Sequence, residues 1–355
     1  MTPASAPRNA QDVRLLHVDP ASEMIAIHAF DHLVGVLRRG DVLVVNDAAT
    51  LPASLTGACD GRAVEARLAG RVDDATFTAV LFGEGDWRTP TENRVPPPLL
   101  APGSTVQFPG VAAEVVATDA TSPRLVTLRF AVAGAPLWRA LYGAGRPVQY
   151  AHLTRPLHLW DVQTPYAARP WAVEPPSAGL PLQWRHLLQL RRAGVTLAQI
   201  THAAGLSACG EEALDARLPL PEAYEVPAVT AHAVATAYQR DGRVVAVGTS
   251  VVRALESAAR GGELAAVTDL RLDAGTQLRV VDGILTGMHE PGTSHFELLR
   301  AFAPEPLLQK AERVATAHGL LSHEFGDSML LLGCKGREAS RHARLRRHRS
   351  RLPRR

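Results

Sequence analysis

The chain has 355 residues, of which 46% are hydrophobic and 21% are charged, ordinary proportions for a globular protein. This length suits two domains better than one hydrophobic core. No uninterrupted apolar run reaches the roughly 18 residues that predict a membrane-spanning helix. The polar N-terminus also lacks the apolar segment of a signal peptide, so we expect a cytoplasmic protein without membrane association.

The cysteines and the charge distribution add two expectations. Cys59, Cys209 and Cys334 lack the spacing of a disulfide framework or a zinc site, which indicates buried structural thiols in a reducing compartment. The net charge is +3, but residues 336–355 carry nine arginines against one glutamate, and this +8 leaves −5 on the preceding residues. We expect 336–355 to be a disordered tail, which either contacts phosphates or is simply solvated.

The first predicted elements are a helix over 30–37, which ends before Gly40, and a buried strand over 41–46. Between about 51 and 146 the chain contains short β-branched or alternating runs separated by Gly, Pro and Asp. This texture predicts a small antiparallel barrel or sandwich, followed by a short helix near 135–142. The runs are 63–69, 76–82, 105–108, 113–117 and 124–130.

Helices and strands alternate after about residue 147, which favours a largely parallel sheet. The predicted elements are a helix at 182–192, a strand at 195–201, a helix at 228–240, a strand at 244–247, a helix at 251–259, a strand at 278–285 and a helix at 295–302. Ser294 and Glu297 have the spacing of a capping box before the last helix. We therefore predict an α/β fold, with a mostly parallel α/β domain from residues 1–50 plus 147–335 and an inserted antiparallel β-barrel domain at 51–146.

Polar residues follow four of the predicted strands. Because ligands of parallel α/β sheets bind beyond the carboxyl ends of the strands, these residues predict one shared site. They are Asn46 and Asp47, then His202, then Gly248, Thr249 and Ser250, and finally Thr286, His289 and Glu290.

The stretch 244–258 is the most informative, because a buried strand runs into a glycine turn and a helix. Thr249 or Ser250 can cap that helix, whose N-terminus suits an anionic group. Arg253 can add a charge-assisted fork to a carboxylate or phosphate. The structural alternative is plain capping, with Arg253 paired to Glu256 on the same helix.

Three further residues are candidates for acid–base chemistry. His202 and His289 each follow a strand, where an imidazole can exchange protons near neutral pH. Glu174 lies in a Pro- and Gly-containing loop, EPPSAGL (174–180). The structural alternative for all three is a role in the fold alone.

Six stretches, in order, resemble the S-adenosylmethionine:tRNA ribosyltransferase-isomerase family of queuosine biosynthesis. They are GDVLVVNDAATLPASL (40–55), PPSAGL (175–180), EAYEVP (222–227), VGTSVVRALES (247–257), VVDGILTGMHEPGTS (280–294) and EFGDSM (324–329). The resemblance implies an α/β domain with an inserted β-barrel. It also implies transfer of the ribosyl part of S-adenosylmethionine to the aminomethyl group of a 7-deazaguanine in tRNA, where rearrangement gives epoxyqueuosine and releases adenine and methionine.

The same resemblance implies roles for particular residues. Thr249, Ser250 and Arg253 would hold the donor, and His289 and His202 would transfer protons. Further substrate contacts would come from Asn46, Ser177, Thr286, Asp282 and Asp327. The family implies S-adenosylmethionine as a substrate, with no metal and no tightly bound cofactor, and we expect a monomer or weak dimer.

The sequence departs from the family pattern on the acceptor side. Ala49 and Ser54 stand where the family has two arginines, cations that would suit a polyanion such as tRNA. Two alternatives to tRNA modification therefore stay open. One is ribosyl transfer to a small-molecule amine or nucleoside, and the other is a non-catalytic nucleotide- or RNA-binding relative.

Overall fold

A computed structural model of the chain describes residues 1–333. Cys334 and the predicted arginine-rich tail at 336–355 lie outside the described residues. Cys59 and Cys209 are free and buried, as expected for structural thiols. Within the described part, no helix combines the length and the apolar content needed to cross a membrane.

The strands are numbered β1 to β19 in chain order: Thr2–Pro3, Arg14–Asp19, Met24–Ala29, Val42–Asn46, Ala48–Thr50, Ser54–Cys59, Arg62–Arg71, Thr76–Phe82, Thr105–Phe108, Val111–Thr118, Leu125–Phe130, Arg169–Ala172, Thr196–His202, Glu222–Glu225, Val244–Val247, Ala265–Thr268, Gly283–Gly287, Leu321–Ser322 and Ser328–Leu332. The α-helices are numbered α1 to α8: Leu33–Val36, Gly134–Ala144, Trp184–Arg192, Glu212–Asp215, Ala228–Gln239, Thr249–Gly261, Ser294–Leu299 and Glu305–Ala317.

Nine strands form one mixed sheet in the order β16-β14-β13-β4-β15-β17-β19-β2-β3. Its centre, β13-β4-β15-β17, is parallel throughout. The flanks add antiparallel pairs at β13-β14, β14-β16, β17-β19 and β2-β3. The four central strands therefore end at a common carboxyl edge.

The central strands are buried on both faces, which explains why they appear in the sequence as continuous apolar runs. In β4, Val42 and Val44 face one core, whereas Leu43 and Val45 face the other, because successive side chains point to opposite sides of a strand. Helices α5 to α8 cover the first core, and α1 and α3 cover the second.

The inserted strands close into a separate six-stranded barrel in the order β10-β11-β8-β7-β6-β9. All neighbouring pairs are antiparallel, and closure comes through the pairing of Ala58 with Gln107. The interior is filled by alternating apolar side chains such as Leu55, Phe77 and Leu128, so the barrel has its own core. Closure removes the exposed strand edges that an open sheet would leave.

The predicted α/β fold with an inserted antiparallel β-barrel is confirmed. The sheet was expected to be mostly parallel, but it is mixed, with four parallel and four antiparallel neighbouring pairs. The domain boundaries at 51 and 146 stay a prediction, and they enclose all six barrel strands. Two local predictions were wrong. The strand expected at 278–285 covers Gly283–Gly287. Helix α7 is capped by Thr293, which accepts from the Phe296 N–H, rather than by Ser294.

Candidate active site

The polar residues predicted to share one site lie at the carboxyl ends of the four central strands. Asn46 is the last residue of β4, and His202 is the last residue of β13. Gly248 follows β15, and Thr286 lies near the end of β17. The convergence arises because the four strands are parallel neighbours, so their carboxyl ends form one edge.

The turn between β15 and α6 depends on Gly248. Its backbone adopts φ +91° and ψ 156°, a region that is essentially restricted to glycine. Among the described residues, no side chain caps α6, so the capping role predicted for Thr249 or Ser250 was wrong. The first N–H groups of α6 have no intrahelical carbonyl to bond and remain a suitable site for a ligand anion.

Arg253 forms an ion pair with a residue that the sequence did not suggest. Its guanidinium contacts the carboxylate of Glu222, the first residue of β14, and both side chains are buried. Its Nε also donates to the Leu270 carbonyl at 2.9 Å. The alternative pairing with Glu256 was wrong, because Glu256 instead bonds Arg260 and the backbone N–H groups of 279–281.

Asn46 links three elements of the site. Its side-chain oxygen accepts from the His202 N–H at 2.9 Å and the Ala48 N–H at 3.1 Å. Its amide nitrogen donates to the His202 carbonyl at 3.0 Å and to Ser250 Oγ at 3.4 Å. The internal contacts fully occupy this buried amide, so Asn46 sets the position of β13 and of the first turn of α6.

His202 is a fully buried imidazole without a hydrogen-bond partner among the described residues, at either ring nitrogen. Its Nε2 lies 3.5 Å from Glu222 Oε2, without hydrogen-bond geometry. Burial and the nearby charge of Arg253 lower the pKa of His202 to about 3. The ring is therefore neutral at pH 7, and its unpaired nitrogens are available to a ligand.

Two further imidazoles, those of His289 and His295, lie near Arg253. His289 Nε2 lies 2.7 Å from Thr286 Oγ1, and the His289 ring stacks on His295 with centroids 4.9 Å apart. Burial, followed by the neighbouring imidazoles, lowers the pKa of His289, and burial and Arg253 lower that of His295 to about 4. Both rings are neutral at pH 7, and the influence of Arg253 on His295 connects the two groups.

A cleft adjoins these residues and contains two more of the predicted ones. Ser177 and Asp327 line it together with Arg8, Gly287 and Glu324. Asp327 is largely occupied: it accepts from the backbone N–H groups of 14 and 321 and pairs with the guanidinium groups of Arg8 and Arg14. Asp327 therefore ties β2 to the chain before β19 and forms a wall of the cleft.

Asp282 lies away from the site. Its carboxylate accepts from the Val244 N–H at 2.7 Å, and its own N–H donates to the Val244 carbonyl at 2.8 Å. Val244 is the first residue of β15 and Asp282 directly precedes β17, so this pair marks the amino edge of the sheet. The substrate contact of Asp282 stays a prediction, but these bonds place the residue at the opposite edge of the sheet from the carboxyl ends of the central strands.

Glu174 has the carboxyl group best matched to proton transfer near neutral pH. It accepts from the Tyr150 hydroxyl and from the Ser207 N–H at 2.9 Å. Burial, with a smaller contribution from the charge of Glu324, raises its pKa to about 7 against the lowering effect of these hydrogen bonds. Both Glu174 and Tyr150 line a second cleft that shares Glu324 with the first.

The loop after β13 joins Glu174 to the buried ion pair. Gly205 donates its N–H to Glu222, and two residues later Ser207 donates to Glu174. Sequence reasoning missed Glu222, Tyr150 and His295 as members of this site. The EAYEVP motif that contains Glu222 was available as a signal, whereas Tyr150 and His295 carry no local pattern that indicates function.

Taken together, the site offers neutral buried imidazoles, one carboxyl group that titrates near pH 7, and a helix N-terminus beside a buried arginine. Such groups can accept and donate protons on a substrate that is largely shielded from water. The buried ion pair of Arg253 and Glu222 holds the first turn of α6 against β14.

Comparison with known proteins identifies the family of the chain. The family model of the queuosine biosynthesis protein matches residues 2–331. An S-adenosylmethionine:tRNA ribosyltransferase-isomerase of Acidithiobacillus ferrooxidans is 37% identical over 315 residues, covering 86% of this chain and 87% of that protein. One from Rubrobacter xylanophilus is 34% identical and covers 92% of each chain.

A solved structure shares the fold. The S-adenosylmethionine tRNA ribosyltransferase of Thermotoga maritima aligns with a TM-score of 0.51 and 22% identity, over 93% of this chain and 96% of that one. The resemblance seen in the six sequence motifs is thus confirmed over nearly all the described residues. The chain belongs to the queuosine biosynthesis protein family.

Proposed function

We propose that this protein is an S-adenosylmethionine-dependent ribosyltransferase-isomerase. It transfers the ribosyl part of the donor to a 7-aminomethyl-7-deazaguanine in tRNA and rearranges it to the epoxycyclopentanediol of epoxyqueuosine. Adenine and methionine leave. The observation that carries the proposal is the family match over residues 2–331, and we place the enzyme in the cytoplasm with tRNA.

The site is suited to the proton transfers of this reaction. The donor's sulfonium acidifies the adjacent ribose carbon, so a base can remove a proton there, and the departing adenine must then be protonated. Glu174, with a pKa of about 7, is populated in both protonation states near neutral pH and suits such a role. His202 and His289, which are neutral rings with lowered pKa values, are proposed to hydrogen-bond the substrate and to pass protons on without holding them.

Donor binding is proposed for the turn after β15. Thr249, Ser250 and the first N–H groups of α6 would contact the methionine carboxylate, since a helix N-terminus favours an anion. Ser177 would border the donor, because its 3₁₀ turn, Ser177–Gly179, packs against the turn after β15. A Cβ atom added to Gly248 would lie 3.5 Å from the Ala178 Cβ. Arg253 would reach the carboxylate by exchanging part of its contact with Glu222.

The test is an incubation of the purified protein with S-adenosylmethionine and tRNA that carries the aminomethyl-deazaguanine base. Mass spectrometry follows free adenine, methionine and the modified nucleoside. Adenine release matched by the mass gain on the tRNA base is the expected result. Turnover only with the free base or another amine would instead select a small-molecule acceptor, and donor binding without adenine release would select a non-catalytic protein.

A further inference from the structure

Three side chains from distant parts of the sequence meet beside the cleft. His152 follows the barrel and α2, whereas His323 and Glu324 lie in the turn between β18 and β19. His152 Nε2 is 2.9 Å from Glu324 Oε2, and the two imidazole rings have centroids 4.4 Å apart. One ligand atom from each residue lies within 4.8 Å of the other two.

Two imidazoles and one carboxylate form a typical three-residue ligand set for zinc, which leaves a fourth position open. With bonds of about 2.0–2.2 Å, ligand atoms on a tetrahedral zinc ion lie roughly 3.3 Å apart. The observed separations are within about 1.5 Å of this value, a difference that side-chain rotation covers. His323 is exposed and Glu324 is half-buried, so an ion has an entry path.

The backbone holds this turn in a fixed shape. His323 adopts φ +66°, an uncommon conformation for a residue other than glycine. Its carbonyl accepts from the Gly326 N–H at 2.9 Å, and Asp327 anchors the end of the turn to Arg14. His323 and Glu324 are therefore presented together, next to His152, without the entropy cost of ordering a mobile loop.

Charged groups of both signs surround the three proposed ligands. Glu290 acts electrostatically on His323, and the charge of Glu324 acts on Glu174. The N-terminal ammonium group acts in the opposite direction on His323. Arg8 lines the same cleft as His323 and Glu324, so the attraction for a cation comes chiefly from the Glu324 carboxylate of the ligand set itself.

We propose that His152, His323 and Glu324 form a binding site for a divalent transition-metal ion, with Zn²⁺ as the representative ion. His323 and Glu324 also line the cleft that contains Ser177 and Asp327, so the fourth position would be open to water or to an oxygen of a molecule in the cleft. The ion would join the segment after the barrel to the β18–β19 turn. The proposal of this metal site does not rest on the proposed reaction.

The test uses the full chain, stripped with a chelator and then titrated with Zn²⁺ by calorimetry and with Co²⁺ by visible absorption. We expect one tight equivalent and the intense Co²⁺ bands of a four-coordinate site. His323→Ala and Glu324→Gln should each weaken binding more than about 100-fold, since loss of an outer hydrogen-bond partner alone costs about 10- to 100-fold. Zn²⁺ should raise the melting temperature of the wild type but not of Glu324→Gln.

The matched control is His28→Ala. His28 stacks on His32 with ring centroids 3.8 Å apart. This imidazole pair does not include any of the three proposed ligands, so its loss should not affect the site. The control should retain the tight equivalent. The proposal is overturned if the wild type binds no stoichiometric Zn²⁺, if His323→Ala and Glu324→Gln bind as the wild type does, or if His28→Ala weakens binding as much as they do.

Discussion

The buried ion pair between Arg253 and Glu222 permits a sharp test of how the site is held together. The two side chains are exposed by only 6% and 7%. Arg253→Ala would leave the Glu222 carboxylate buried with the Gly205 N–H as its remaining hydrogen-bond donor in the described structure. Breaking a buried pair from one side costs about 3–5 kcal/mol, so we expect the free energy of unfolding to fall by that amount.

The pair should also show strong non-additivity. In Arg253→Ala combined with Glu222→Gln, the uncompensated charge is gone, while the amide oxygen can still accept from Gly205. The double variant should therefore be more stable than the sum of the single effects predicts, by at least about 1 kcal/mol. Urea unfolding followed by circular dichroism measures all four proteins. Effects that add within about 0.3–0.5 kcal/mol would refute the coupling.

The same variants decide whether Arg253 also clamps the donor. Glu222→Gln releases the guanidinium from a carboxylate partner, so donor affinity should be retained or increased. Arg253→Ala should lose about 10-fold or more, since hydrogen bonds to charged groups contribute about 1.5–3 kcal/mol. Calorimetry with S-adenosylmethionine, at a temperature where every variant is folded, gives the answer. Unchanged affinity in Arg253→Ala would leave this residue a structural role only.

Three further changes have defined outcomes. The pKa of Glu174 in the folded protein is about 7, above its ordinary value of 4.5. Its contribution to stability is therefore complete below about pH 4.5 and is lost as the pH rises through 7. Over these 2.5 pH units the loss of stability is about 3 kcal/mol. The charged neighbour of Glu174 is Glu324, and Tyr150 and Ser207 are its hydrogen-bond partners. Glu174→Gln should remove this loss and the corresponding bend in the pH–rate profile, whereas Glu114→Gln, at a half-buried residue of the barrel, should keep both; an unchanged profile would contradict the role. Gly248→Ala should destabilise by about 1–3 kcal/mol because of its φ of +91°, whereas Gly143→Ala, which meets no atom within 4 Å, should be neutral or stabilising by up to about 1 kcal/mol in thermal unfolding. Asp282→Asn should lower stability by about 1 kcal/mol and leave the donor dissociation constant unchanged, and a weaker donor complex would return Asp282 to the site.

Much of the fold was predictable because local patterns match the final environment. The apolar run of β4 is buried on both faces, and the short alternating runs at 63–130 became five of the six barrel strands, whereas β6 was not predicted. The errors occurred where local signals compete. Thr293, rather than Ser294, caps α7, and both hydroxyl residues are acceptable caps by sequence. The start of β17 was set by pairing with β15 rather than by its apolar content.

The location of the site was also predictable, since polar residues after parallel strands converge at one edge. Its internal partners were not. Glu222 meets Arg253 across 31 residues of chain, and Tyr150 meets Glu174 from the segment that leaves the barrel. Side-chain pairs of this kind depend on how strands and loops are arranged in space. A sequence pattern that spans one helix, such as Arg253 with Glu256, therefore suggested the wrong partner.

The sequence by itself determined the family, the central strands of the sheet and most of the barrel, because these depend on local periodicity and on motifs kept in order. The flanking strands β2, β3, β14, β16 and β19 and helix α8 were not predicted. Only the tertiary structure decided which polar groups are buried, which of them pair, and how burial moves their pKa values. Desolvation is a property of the whole environment: it makes His202 a neutral, unpaired ring and Glu174 a group that titrates near pH 7. It is also only the folded chain that brings His152 beside His323 and Glu324.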